Sequence, residues 1–320
     1  MAVPTDTQQT YQTIGIREDL SDMIYNIAPT QTPVMNLIGK ENCSSTFFEW
    51  QTDSLDAADG DNKNIEGDDA TNDAAAPTVR PGNYVQLMDK VVQVSSSQQA
   101  VTSAGRKKEL AYQLAKRSKE IKRDMESRIT QNYPSAAGAA GTARETGSME
   151  SWIETNESRG ATGAAGGFSA GIVAAPTDGT QRAITEDLLK GVIADCWTEG
   201  AEPTHVITGS FNKRAISGFG GIATLYRDTG QSKQQASIMG AADLYISDFG
   251  QHHIIADRFS RDRSALVIDP DYWCLAYLQS FKVEKLAKTG HSERRMLSVE
   301  WGLKCKNEKA SGVVADLNIV

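Results

Sequence analysis

Arg106-Lys107-Lys108-Glu109-Leu110-Ala111-Tyr112-Gln113-Leu114-Ala115-Lys116-Arg117-Ser118-Lys119-Glu120-Ile121-Lys122-Arg123-Asp124-Met125-Glu126-Ser127-Arg128 is the stretch on which the fold turns. Leu110, Leu114, Ile121, Met125 and Ile129 recur at helical spacing, with Ser118 filling the remaining turn, which predicts one amphipathic helix. Its other faces carry Arg106, Lys107, Lys108, Lys116, Arg117, Lys119, Lys122, Arg123 and Arg128. With Ala100, Val101 and Ala104 ahead of it, the helix should run for about 30 residues, about 45 Å at ~1.5 Å per residue. Pro134 and Gly138 stop it.

Upstream lies the opposite charge. Asp53, Asp56, Asp59, Asp61, Glu66, Asp68, Asp69 and Asp73 stand against one cation, Lys63. Thr46 to Trp50 and Tyr84 to Val94 bracket this acidic run and are rich in aromatic and β-branched residues, so both read as strands. The unit is therefore expected to be a long two-stranded arm with a polar tip, Pro77 and Pro81 marking its return limb. Such a ribbon is not stable alone in water and needs a surface to lie on. A long polar loop inside a folding unit is either functional or disordered. An acidic arm beside a basic helix, with no catalytic motif near either, points to a chain that grips copies of itself. The cations have three candidate partners: Glu120 and Asp124 of their own helix, an acidic arm from a neighbour, or a packaged polyanion. Glu109, Glu120, Asp124 and Glu126 interrupt the basic stripe and no aromatic ladder accompanies it, which argues against sequence-specific nucleic-acid readout.

Composition sets the outer limits. The chain has 320 residues, 39% hydrophobic and 23% charged, enough for one or two cores, and a net charge of −8. No secretory leader and no run approaching the roughly 18 apolar residues of a membrane span is visible. Cys43, Cys196, Cys274 and Cys305 are far apart and form no C-x-x-C, so four reduced thiols are expected rather than a zinc cluster or disulfide framework. No cofactor motif is found.

The remaining segments order themselves simply. Residues 1–13 are polar. Leu20, Met23, Ile24 and Ile27 have helical spacing, with Asp19 or Ser21 as cap and Pro29 as stop. Val34, Leu37 and Ile38 form a second apolar turn closed by Gly39. Residues 135–180 are mostly small, with Met149 to Asn156 the one island expected to pack. A helix capped by Thr185 presents Leu188, Leu189, Val192, Ile193, Cys196 and Trp197 and ends at Gly200. His205 to Thr208, Asp243 to Ser247, His252 to Ala256 and Ala265 to Ile268 read as strands, with a short helix capped by Ser210 between the first two. Leu297, Val299, Trp301, Leu303 and Cys305 alternate with polar residues and predict a strand with one buried face. Phe281 and Val283 start its partner, and residues 288–292 are the turn.

Catalytic patterns fail on inspection. Gly167-Phe168-Ser169-Ala170-Gly171 matches the nucleophile-elbow pattern, yet a buried strand before it and a helix after it are both missing. Asp59, Asp61 and Glu66 suggest a calcium loop, but its fifth, sixth and twelfth places hold Lys63, Asn64 and Ala70. His252 and His253 point to opposite faces of a strand, and His205 and His291 have no nearby His or Cys to complete a metal site. Gly39-Lys40 lacks the glycine of a phosphate loop, Val34 standing in its place. The expectation is a protein that is not an enzyme.

Several segments, taken in order, resemble the major capsid proteins of tailed bacteriophages. They are Glu18 to Pro29 with Thr32-Pro33, Trp152 to Asn156, Leu275 to Leu278, Leu286 to Ser292, Glu300 to Leu303 and Asn307 to Gly312. The small-residue stretches 134–147 and 160–180 have no counterpart. The resemblance implies an α+β, Hong Kong 97-like fold: an N-terminal arm at 1–40, an extended loop at 41–98, and a peripheral domain with a spine helix and a Gly/Ala-rich connection at 99–179. An axial domain at 180–275 and return strands of the peripheral domain at 276–320 complete it. It implies hexamers and pentamers closing an icosahedral shell around double-stranded DNA held by non-specific contact, in a virion assembled in the bacterial cytoplasm. A separate scaffolding protein, since no scaffold domain fits before Glu18, a portal and a decoration protein are the implied partners, with no membrane. Relatives that cross-link lysine to asparagine would make Lys63 a donor here, but no partner is identified. Two alternatives are a nanocompartment shell of the same fold enclosing an enzyme, and a hydrolase using Ser169. The inter-subunit contacts expected are Asp56, Asp59, Asp61, Asp68 and Asp69 against Lys107, Lys116, Lys119 and Arg123.

Overall fold

A computed structural model describes residues 30–67, 69, 75–101, 108–219 and 243–319. The helix spacing at Leu20 to Ile27, together with Arg106, Lys107, Asp68 and Asp73, lies outside the described residues. The elements in chain order are α1 (Pro33–Leu37), β1 (Gly39–Asn42), β2 (Phe47–Glu49), β3 (Gly82–Tyr84), β4 (Gln86–Ser95), α2 (Ser96–Ala100), α3 (Glu109–Thr130), α4 (Met149–Trp152), β5 (Glu157–Ser158), β6 (Gly167–Ser169) and β7 (Ile172–Ala174). They continue with α5 (Glu186–Thr198), β8 (His205–Thr208), α6 (Ser210–Ile216), β9 (Leu244–Ser247), β10 (Gly250–Ala256), β11 (Ala265–Ile268), β12 (Trp273–Lys285), β13 (Ser292–Cys305) and β14 (Gly312–Val314).

The long hairpin β12–β13 organises the first sheet, in the order β1-β12-β13-β4. Alternation along β13 turns Leu297, Val299, Trp301, Leu303 and Cys305 inward. Ile121, Met125 and Ile129 of α3, all without exposure, lie on that face with Met149, Trp152, Ile153, Val34 and Met35. The second sheet is mixed, in the order β5-β14-β11-β8-β10-β9. Alternation gives its strands two apolar faces: Ile207, Leu266 and Ile268 join the α3 core, while Val206, Ala265, Val267 and Ile254 pack under α5 with Leu189, Val192, Ile193 and Cys196. The two cores thus share one sheet.

Several expectations are corrected. α3 begins at Glu109 with Lys108 as an extended N-cap and has 22 residues, so it is about 33 Å long rather than 45. The chain ahead of it forms a separate turn, α2, because Ser95 accepts a hydrogen bond from the Gln98 amide and Val101 returns to extended geometry. β12 begins at Trp273, not Phe281, since the run Trp273 to Ala276 is buried on both faces and shows no alternation. Register shifts between Tyr277 and Lys282 break any alternation there, so Phe281 is only partly buried and Val283 is left 49% exposed. Trp197 turns outward, 53% exposed, against Phe249. The cap of α6 is Gly209, where a Cβ would stand 2.3 Å from an Asp262 carboxylate oxygen, and Ser210 is its first helical residue. Gly39 does not close α1; Ile38 is the extended C-cap and Gly39 opens β1, where a side chain would strike Cys274.

The small-residue region is folded. β6 and β7 form a hairpin whose turn, Ala170 and Gly171, has both φ values positive, and Ser169 is exposed beside that turn. A tight hairpin stands where a nucleophile elbow would need a helix. β14, at the chain's end, pairs with β11 and β5, because Val313 and Val314 are fully buried and need a strand on each side.

Candidate assembly surfaces

The acidic loop stands on an aromatic root. β2 and β3 pair antiparallel, placing Phe47 against Tyr84 at 4.6 Å, and the ladder continues to a bridge between Thr52 and Val79. Phe48 lies so close over Gly302 that a Cβ there would be 2.5 Å from its ring. Trp50 stacks on Phe48 and meets Trp152, and the Lys304 ammonium lies 5.7 Å from its ring centre. The paired part is shorter than Tyr84 to Val94 suggests: the chain breaks pairing at Val85, whose amide bonds Thr46, and β4 passes to β13 instead.

Beyond Thr52 the loop leaves the body. Leu55 is 98% exposed and Ile65 77%. Asp56, Asp59, Asp61 and Asp69 are exposed. Asp59 accepts from the Asp61 amide at 2.9 Å, and Asp61 pairs with Lys63 at 2.6 Å, so the loop's lone cation is used inside the loop. Among the described residues no ion pair joins Asp56, Asp59 or Asp61 to α3.

The outward face of α3 is cationic but not uniform. Lys116 and Lys119 are exposed and line a groove of about 260 Å³ with Thr30, Tyr112, Ala115, Glu120 and Arg123. Arg123 is half-buried with its guanidinium 5.2 Å from the Phe259 ring centre. Of the two acids read as partners for the helix's own cations, Glu120 pairs within the helix and Asp124 does not. Glu120 binds Arg117, and Asp124 reaches Lys90 of β4 at 2.7 Å. Arg128 turns inward to the carbonyls of Thr146 and Pro134 and to Glu145. Glu126 is buried and accepts from the amides of Val34 and Met35 at 2.7 and 2.9 Å.

Sequence reasoning missed a set of buried acids that join the two cores. Glu150, without exposure, accepts from Arg261 at 2.9 Å and Ser264 at 2.8 Å and lies 3.5 Å from Arg159. Asp316, at φ 57°, accepts from the amides of Gly160 and Gly179 and from Arg263. The signal was present as a charge inside an apolar frame, Met149-Glu150-Ser151-Trp152 and Val314-Ala315-Asp316-Leu317.

The other candidates are resolved by geometry. Parallel pairing of β8 with β10 sets His205 beside His253, ring centres 5.4 Å apart, so His205 does have a histidine neighbour. Among the described residues no group of three metal-ligating side chains forms, and no helix is long and apolar enough to cross a membrane. All four cysteines are free; burial pushes the Cys196 thiol up to about 12, a poor nucleophile.

A hairpin-backed long helix, a second mixed sheet under α5 and a loop thrown clear of both are the arrangement found in phage capsid subunits. The capsid asymmetric unit of cyanophage A-1(L) superposes with a TM-score of 0.70 at 11% identity, covering 97% of this chain and 98% of that one. An encapsulin complex from Synechococcus elongatus follows at 0.53 and 12%, covering 93% and 94%, a likeness of fold alone. The fold is the Hong Kong 97-like capsid fold. The chain belongs to the SU10 major capsid protein family, whose profile matches residues 3–318, and it is a phage major capsid protein. The major capsid protein of Escherichia phage Phieco32 is 27% identical over 95% of both chains.

Proposed function

We propose that copies of this chain assemble as hexamers and pentamers into an icosahedral shell around phage double-stranded DNA. The observation that carries this reading is the loop: Leu55 and Ile65 are left in solvent, and among the described residues Asp56, Asp59 and Asp61 make no ion pair with their own subunit's α3. Surface that a monomer leaves open becomes buried when the loop lies over a neighbour. In this reading 1–40 is the arm, 41–98 the extended loop, 99–179 the peripheral domain with α3 as spine, 180–275 the axial domain and 276–320 the return strands. Asp56, Asp59, Asp61, Asp68 and Asp69 face cations of the next copy, with Lys107, Lys116, Lys119 and Arg123 the first candidates. A separate scaffolding protein, a portal and a decoration protein are the expected partners, and assembly takes place in the bacterial cytoplasm. Family membership favours a phage shell over a cargo compartment. Electron microscopy of the purified protein tests this: closed shells are expected, and shells recovered from infected cells should hold DNA. A protein that stays monomeric under every assembly condition, or shells that hold only a cargo enzyme, would overturn it.

A further inference from the structure

Glu126 sits where no charge is comfortable. It is fully buried on α3, and its carboxylate spans 92 residues of sequence to reach α1. Its two oxygens take the amides of Val34 and Met35, the first free donors of α1, since Pro33 brings none. Thr32, at the N-cap position, makes no side-chain cap bond. The carboxylate of α3 therefore does the work of a missing local cap. Downstream of this point Val34 and Met35 enter the core against Met125 and Ile129; the segment upstream is the one the shell reading takes as the arm.

We propose that Glu126 fastens the root of the N-terminal arm to α3, and that gain or loss of one proton on this carboxyl sets how tightly the root is held. The groups around it are few. α1 brings no charge. The segment after β10 brings Asp257, itself buried and of like sign. On α3, Arg123 is taken up by Phe259 and Arg128 by the carbonyls of Thr146 and Pro134. Among the described residues no ion pair offsets the charge. Burial is the largest influence and raises the carboxyl to about 7, Asp257 adds to it, and the two amide bonds only partly oppose it. When the root lifts away, water returns and the carboxyl falls back towards the ordinary range. The fastened state thus holds the proton more strongly than the released one. The fastening is complete below the ordinary carboxylate range and loosens as pH rises through about 7. This contact is internal to one subunit, so its failure would leave the shell reading intact.

Hydrogen exchange at the Val34 and Met35 amides of the full-length protein, corrected for intrinsic rates, reads the fastening directly. Between about pH 6 and 8.5, protection should fall about tenfold, the ratio expected for a carboxyl at about 7 when held and near 4.5 when released. Glu126→Gln should abolish that slope, and Asp257→Asn should move its midpoint to lower pH. Flat protection in the parent, or the parent's slope persisting in Glu126→Gln, overturns the proposal. If Glu126→Gln does not fold, an unmoved midpoint in Asp257→Asn does so instead.

Discussion

Acidic residues occupy two regions of this molecule in opposite ways. In the loop, Asp56, Asp59, Asp61 and Asp69 are exposed. In the body, Glu126, Glu150 and Asp316 are almost completely buried, and each is met by amides, guanidinium groups or a hydroxyl of the same chain. A carboxylate removed from water costs several kcal/mol unless donors replace its hydration, so the body acids hold distant segments in fixed places. The loop acids keep their hydration and cost the subunit nothing. The body's charges serve the fold of one copy; in the proposed shell the loop's charges serve another.

The comparison is broken most forcefully at Glu150. Replacing it with Ala should take the shared carboxylate from the largely buried Arg159 and Arg261, which keep Glu157 and Asp178, and cost about 3 kcal/mol, read as a lowered denaturant midpoint. A loss under about 1 kcal/mol would mean that the body acids are dispensable. Asp316→Ala removes the acceptor of two amides and of Arg263 and places Ala at a left-handed φ, so about 2–3 kcal/mol is expected in the same measurement. Glu126 tests the middle of the range. Because its carboxyl is raised to about 7 in the fold, the native state loses stability as pH climbs from about 4.5 through 7, by about 1–3 kcal/mol in all. Glu126→Gln should flatten that profile, so that the variant loses less stability than the parent between pH 5 and 8 in parallel melts. The smallest effect on the subunit belongs to the loop. Asp56→Asn with Asp59→Asn and Asp61→Asn should change subunit stability by no more than about 0.5 kcal/mol. The same variant should yield shells that dissociate at lower salt, since exposed pairs of about 0–1 kcal/mol each add up over many copies. Shells as salt-resistant as the parent's would remove the loop acids from the interface.

Legibility followed the length of the pattern. The alternation from Leu297 to Cys305 and the stripe from Leu110 to Ile129 were readable because a repeating face is a property of the local chain. The cap at Thr185 and the stop at Gly200 were readable for the same reason, each being settled within a few residues. The start of α3 was misread because Ala100 and Val101 suit a helix, yet β4 carries the chain to Ser95 and turns it there. The fate of Arg128 and Glu126 was illegible, since both sit in a helix of many charges and only their partners, Thr146, Pro134, Val34 and Met35, set them apart. Trp197 was misplaced because helical spacing marks an apolar face without saying whether the sheet beneath extends that far.

The sequence by itself determined a loop that cannot fold inward, a helix with one apolar stripe, a hairpin with one buried face, and an order of segments that resembles a capsid protein. Those depend on composition and short-range periodicity, which no tertiary contact can alter. Only the tertiary structure decided that β14 enters the second sheet between β5 and β11, that His205 lies beside His253, and that Glu126, Glu150 and Asp316 are buried while Asp56, Asp59 and Asp61 are not. A carboxylate is written the same way in either place. Whether it is hydrated or fastened depends on which donors, from residues far away in the chain, the fold brings within about 3 Å of its oxygens.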